Sequence, residues 1–351
     1  MKDINRREFI QRTAIATAAL TFPTWSIAGV ETKMGIVVHS YAFRWNSKTP
    51  SAKYPGFATA IDLLDHTAAI GAAGIQVVVN GWDTDFAKKV RDRREKLGLY
   101  LEGSISMPAK KDDPDFERTV ANAREAGASV LRTVTSSGRR YEVYHSSSDV
   151  EAFKKKAMES IQWAEPILKK HNVKLAVENH KDWTAPELAD AMKKISSEWV
   201  GVTLDFGNSI ALSERPMSVI ETLVPYVVST HVKDMAVEEY SDGFLLSEVP
   251  LGNGFIELDK IFAMVKKSNP KANFSLEMIT RDPLEIPVKT KEYWESVPKH
   301  LATMDLSTVL TYQKQQKMEP PRVSQLDPEG KLAIEEQNII ECVNYSKTHL
   351  K

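Results

Sequence analysis

The 351-residue sequence predicts an α/β protein, a single (β/α)8 barrel of the TIM type with a partly helical carboxyl-terminal extension. Three observations carry this prediction. From Met34 onward, short runs rich in β-branched residues alternate with longer amphipathic segments. Eight such runs fall between residues 34 and 279, one for each strand of a closed barrel. The amphipathic segments tend to stop at Gly or Asn just before the next run, as a left-handed helix terminus requires. An open doubly wound sheet is the alternative, and eight strand–helix units favour closure.

In chain order the runs are MGIVVHSYA, IQVVVN, LYLEGSIS, SVLRTVT, VKLAVENH, VGVTLDFGN, YVVSTHVKD and NFSLEMI. Each has the short, apolar core of a strand buried on both faces. The segments between them, such as DFERTVANAREAGA, repeat at helical spacing, with stops expected at Gly74, Gly98, Gly127 and Asn172. Neither GAAG nor LGNG completes a dinucleotide-binding G-x-G-x-x-G. Residues 281–351 are polar, interrupted at Pro320-Pro321, and are expected to wrap the barrel or to meet a second subunit in a homo-oligomer. The segment between Lys233 and Gly252 reads as a long loop.

The first 28 residues read as an export signal. Asn5-Arg6-Arg7-Glu8-Phe9-Ile10 resembles a twin-arginine motif, a small-residue apolar stretch runs from Ala14 to Phe22, and Ser26-Ile27-Ala28 has a small-x-small cleavage pattern. The division is therefore 1–28 signal, 29–280 barrel and 281–351 extension, with an exported, periplasmic mature protein. Hydrophobic residues at 42% and charged residues at 26% suit a folded soluble chain. A net charge of −1 argues against nucleic acid as a partner, and no apolar run is long enough to span a membrane. The single cysteine, Cys342, excludes a disulfide framework and a thiolate metal cluster.

Functional groups in such a barrel lie at the carboxyl ends of the strands. The fifth strand ends at Glu178, the sixth at Asp205, the seventh at His231 and the eighth at Glu277. Neighbouring strands are about 4.8 Å apart, so these side chains converge. Buried together without a counter-ion they would be costly, and one divalent cation relieves that cost. Three carboxylates and one imidazole form a mostly hard ligand set suited to Mn2+, Mg2+ or Co2+. Residues two apart on a strand share a face, which aims His180 and Lys233 at substrate above the metal layer. Glu102 and His39 are further substrate-binding candidates, and Trp183, with Trp45 and Trp82, is expected to offer an aromatic face to a sugar ring.

The segments VENHKDWT, VTLDFGN, STHVKD, VPLGNGFIEL and SLEM together resemble the xylose-isomerase-like barrel superfamily, in its sugar phosphate isomerase and epimerase branch. The resemblance spans most of residues 34–280. It implies one metal ion, often manganese, held by Glu178, Asp205, His231 and Glu277, and it makes Glu178 and Glu277 the catalytic acid–base pair. Proton abstraction beside a carbonyl would give an enediolate, leading to isomerisation or epimerisation. Expulsion or uptake of a neighbouring oxygen would instead make a lyase or hydratase acting on 3-keto-glycosides or unsaturated keto-sugars. A sugar-binding subunit without turnover is a third reading. Asn208, a further substrate-binding candidate, stands where many relatives carry a histidine that contacts substrate or a further metal, and no His-x-Asp-x-His segment follows His231, which argues against the endonuclease branch. Export argues for a non-phosphorylated sugar or keto-sugar, because phosphorylated sugars are mainly cytoplasmic.

Overall fold

Strands β1 (Met34–Val37), β2 (Gly74–Val78), β3 (Tyr100–Ser104), β4 (Val130–Thr133), β5 (Lys174–Glu178), β6 (Val200–Asp205) and β7 (Val227–Val232) pair in parallel, each with the next. The chain then makes a hairpin, β8 (Asp234–Tyr240) and β9 (Gly243–Val249), before β10 (Asn273–Leu276) inserts between β7 and β1 and closes the barrel. The computed structural model describes residues 32–136 and 138–350, so the expected export signal lies outside the described residues. All eight runs read from the sequence contain a barrel strand.

The helices between strands begin where the sequence supplies caps. Thr59 and Asp62 form a reciprocal capping box on helix Ala60–Ala69. Asp83 accepts from the Phe86 amide at 2.7 Å at the start of helix Thr84–Leu97. Helices Thr84–Leu97 and Ser147–His171 end at Gly98 and Asn172 in the left-handed conformation, as expected. Gly127 also has positive φ. Gly74 departs from expectation: it is the first residue of β2, and the positive-φ residue after the preceding helix is Gly71. The GAAG segment offered two glycines, and a two-residue link separates helix turn from strand.

The segment after Lys233 is also more ordered than its reading as a loop. β8 and β9 pair through Tyr240 and Gly243 around a two-residue Ser241-Asp242 turn. β11 (Leu284–Ile286) adds antiparallel to β9. On the outer edge of β8, the Gln316 side chain accepts from the Val237 amide at 2.8 Å and donates to its carbonyl at 2.9 Å. Gln316 thus fills a strand position that would otherwise be an open edge.

The residues beyond 280 contribute the eighth helix of the barrel. Helix Pro328–His349 starts under an Asp327 cap and buries Leu332, Glu335, Ile339, Cys342 and Ser346 along one stripe. Near its start, Glu335 accepts from the amides of Phe43 and Arg44 in the loop after β1, and Asn338 donates to Thr280 after β10. Near its end, Ser346 meets Thr32, just ahead of β1, at 2.8 Å. The helix therefore runs antiparallel to β10 and β1, in the slot that closes the outer ring. The helix begins 52 residues after its strand ends, and its buried stripe includes polar Glu335 and Ser346.

The turn LGNG has a structural origin. Asp234, buried at the head of β8, accepts from the amides of Met235, Gly252, Gly254 and Ile256 at 2.9 to 3.1 Å. A Cβ on Gly254 would sit 2.2 Å from Asp234 Oδ1, so only glycine permits this wrap. Replacing Asp234 by Ala strands four backbone donors, two of them fully buried. We expect a loss of about 2–5 kcal/mol in unfolding free energy, measurable by urea denaturation, with Asp234→Asn intermediate.

Candidate metal centre

Register brings the ionisable strand ends together. Asp205 pairs directly with His231, and His231 with Ser275, two residues before Glu277. Asn179, beside Glu178, continues the β5–β6 ladder with its side chain: its amide group donates to the Asp205 carbonyl at 2.9 Å and accepts from the Asp205 amide at 2.7 Å. Asp205 Oδ1 accepts from the amides of Gly207 and Asn208. That pinning turns Oδ2 toward the cluster. On the far side, Ser40 donates to the Leu276 carbonyl and accepts from the Met278 amide, bracketing Glu277.

The four side chains are buried, and one ligand atom from each lies within 4.8 Å of the others. His231 Nδ1 is 3.6 Å from Glu178, 3.7 Å from Asp205 and 3.5 Å from Glu277. Its other nitrogen, Nε2, donates to Gln76 Oε1 at 2.7 Å. Gln76 in turn donates to Glu102 Oε2, which also accepts from Ser229, while Asn273 donates to Glu102 Oε1. This chain fixes the imidazole with its Nδ1 facing the carboxylates, the arrangement that metal-ligating histidines use.

Charge and hydrogen bonding support a cation there. Both His231 Nδ1 and Asp205 Oδ2 are buried without a hydrogen-bond partner, although Lys233 Nζ lies 3.1 Å from Asp205 Oδ2 as an ion pair. Burial opposes a charged imidazole, yet Glu277 and Glu178 outweigh it and hold the His231 pKa well above its usual value. The carboxylates behave conversely. Burial raises the Glu178 carboxyl, but Arg132 and His231 pull it well below the usual range. Lys233 and His231 do the same to Glu277 against its burial. A divalent ion with bonds of about 2.1 Å fits this donor set with modest contraction. Glu178, Asp205, His231 and Glu277 would hold it, and their oxygen-rich composition suits Mn2+, Mg2+ or Co2+.

The structure distributes the other expected site residues unevenly. His39 lies in the mouth, its side chain 42% exposed and its Nδ1 3.1 Å from Glu277 Oε1. His180 Nδ1 is buried and unpartnered, and burial followed by the Lys181 charge pushes its pKa down to about 3, so it stays neutral. Lys233 is 2.6 Å from Glu277 Oε2 and forms part of the acid cluster's own counter-charge. Asn208 is fully engaged in the protein, donating to Glu178 Oε1 at 2.8 Å and accepting from Lys181 and Lys233. Glu102 lies beneath the cluster in the Gln76 chain, with no free edge for substrate. Trp183 is 2% exposed, packs on Phe153 and donates to Thr135, so its ring faces the core and not a sugar.

Five residues that the sequence reading did not single out complete the site. Arg132 grips Glu178 through Nε at 2.5 Å and also through Nη2. Gln76 orients His231, and Lys181 meets Asn208. Glu248 on β9 accepts from Arg281 at 2.8 Å and lies 3.6 Å from Lys233. A signal existed for two of them: Gln76 and Arg132 are long polar residues embedded in apolar strand runs, where burial demands a partner.

A closed parallel barrel with a three-carboxylate, one-histidine cluster at its carboxyl-terminal rim defines the class: a (β/α)8 protein with a candidate metal centre. More particularly, the chain belongs to the Xylose isomerase-like TIM barrel family, whose model matches residues 64–304. Among curated relatives, 3-oxo-isoapionate decarboxylase of Pectobacterium atrosepticum is 26% identical over 251 residues, covering 70% of this chain and 85% of that protein. A putative L-ribulose-5-phosphate 3-epimerase of Haemophilus influenzae is 30% identical over 155 residues, 43% of this chain and 52% of that protein. A D-psicose 3-epimerase crystallised in the presence of D-fructose superposes with a TM-score of 0.59 at 15% identity, covering 90% of this chain and 99% of that chain. Such a likeness confirms the fold.

Metal uptake by this cluster must displace the proton that the carboxylates hold on His231. Affinity should therefore rise with pH, with about one proton released per ion near neutrality. Calorimetry in buffers of different ionisation enthalpy reads this release; a value of zero would contradict the assignment of Nδ1 as a ligand. Gln76→Ala should weaken metal binding about 10–100-fold while circular dichroism remains that of the folded barrel.

Proposed function

We propose that the protein is a divalent-metal-dependent sugar isomerase or epimerase, with Glu178 and Glu277 as the acid–base pair. The single observation that carries this reading is their placement. The two glutamates enter from β5 and β10, flanking the strands of Asp205 and His231, and each is kept ionised by its own cation, Arg132 or Lys233. A bound divalent ion, manganese in the first instance, would supply Lewis acidity toward a carbonyl and its neighbouring hydroxyl. One carboxylate removes the proton beside the carbonyl, and the other returns a proton to the same or the adjacent carbon. Arg132 and Asn208 hold Glu178 in place, while Lys233 and His39 hold Glu277. His180, neutral and with an unpartnered Nδ1, serves as a hydrogen-bonding group for a substrate hydroxyl.

The substrate we propose is a non-phosphorylated sugar or keto-sugar. The twin-arginine-like opening supports periplasmic export, away from phosphorylated metabolites. A lyase reading shares the same first proton transfer. A relative named as a decarboxylase is also a bond-cleaving enzyme, although loss of carbon dioxide forms an enolate without that proton transfer.

Proton NMR in D2O, with manganese-loaded protein and a 3-keto-glucoside, tests the proposal. Deuterium entering beside the carbonyl with the glycosidic bond intact is the expected outcome. Released aglycone would establish the lyase reading instead, and absence of both would overturn this substrate class. Glu178→Gln and Glu277→Gln should each lower the exchange rate by about 10²–10⁴-fold with metal content retained to a measurable degree.

A further inference from the structure

The acids and bases around the cluster are closely matched. Glu178, Asp205, Glu248 and Glu277 face Arg132, Lys181, Lys233 and Arg281, through contacts or electrostatic reach. Asp182, held by Thr135 and the Trp183 amide, and Glu102, beneath His231 in the Gln76 chain, are two further buried carboxyl groups that would offset the charge of a divalent ion.

One cation of this set has no carboxylate in contact. Lys181 is 4% exposed, and its ammonium has a single hydrogen-bond acceptor, Asn208 Oδ1. Lys233 shares that oxygen at 3.1 Å. An ammonium carries three donors, so Lys181 holds two in reserve. Asn208 cannot be reversed to relieve it, because its Nδ2 donates to Glu178 and a flip would aim an NH2 group at two cations. Burial, then Lys233 and Arg281, lower the Lys181 pKa to about 8, which reports a buried cation without a carboxylate in contact. Glu248 is already shared by Arg281 and Lys233. Arg281 is 28% exposed toward the mouth, and the Tyr141 hydroxyl within its electrostatic reach is buried without a hydrogen-bond partner.

We propose that Lys181 and Arg281, with Lys233 behind them, form a carboxylate subsite beside the metal cluster, so that the substrate is a sugar acid bearing a carbonyl. This rests on the metal-dependent sugar reading above and narrows it. A carboxylate brings one negative charge and two acceptor oxygens, matching the reserve donors of Lys181 and the part-exposed guanidinium of Arg281.

The test uses two ketoses that differ only at C6, D-fructuronate and D-fructose. Calorimetric titration of each into manganese-loaded protein should give about tenfold or more tighter binding of the acid. Both Lys181→Gln and Arg281→Gln, checked for folding by circular dichroism and for metal content, should bring that ratio toward one. Equal affinities in the parent protein, or no measurable binding of either ketose, overturn the proposal. A preference that persists in both variants also overturns it, since the carboxylate would then be bound by the metal alone. Inorganic phosphate competing more strongly than acetate would assign the subsite to phosphorylated sugars and likewise overturn it. The D2O exchange experiment tests the underlying reading separately, because it scores proton transfer and not the acid-to-neutral ratio.

Discussion

The structure turns on one imidazole nitrogen. His231 Nδ1 faces three carboxylates at 3.5 to 3.7 Å in a site closed to solvent, and it can do so only because Nε2 is committed to Gln76. Isolated, those carboxylates would repel one another strongly enough to shed their charge or distort the rim. The neighbourhood is therefore organised as compensation. Arg132 rises from β4 to Glu178, Lys233 follows β7 to Glu277 and Asp205, and Arg281 reaches Glu248 on the hairpin. Each barrel strand from β2 to β7 contributes a side chain either to the cluster or to the layer beneath it.

That organisation explains why the hairpin and the residues beyond 280 matter to the site. Glu248 enters from β9, whose partner β8 is anchored by Asp234 and edged by Gln316. The stacked rings of Phe255 and Tyr312, 4.2 Å apart, join the loop after the hairpin to helix Leu306–Gln315. Part of the ionic arrangement at the rim is thus held by Gln316 and helix Leu306–Gln315, which place no side chain in the cluster.

The strands and the four converging side chains were legible in the sequence because both follow from a strict rule: short apolar runs for strands buried on both faces, and the strand-end location of chemistry in this barrel. The hairpin was less legible because MAVEEYSDGFLLSEV mixes acidic residues into its strands, and only Asp242-Gly243 marks the turn. Glu102 and Trp183 were misplaced for a related reason. Position near a strand end predicts proximity to the mouth, but the exact height within the barrel decides the outcome. Glu102, in register with Gln76, falls one layer too low, and Trp183 turns outward onto Phe153. Lys181 and Arg281 lie in loops, whose side-chain directions no periodicity encodes.

The eighth helix has a consequence for the order of assembly. Thr32 and Ser346, in contact across the closing seam, are 314 positions apart, and Glu335 and Asn338 of the same helix add contacts to the segments after β1 and β10. During synthesis the first seven strand–helix units can leave the ribosome while the last outer slot stands vacant. The nascent protein must then carry an uncovered apolar wall beside β1 and β10 until helix Pro328–His349 emerges. Closure comes after the strands by construction, and the loop entropy of joining such distant segments is offset in one step.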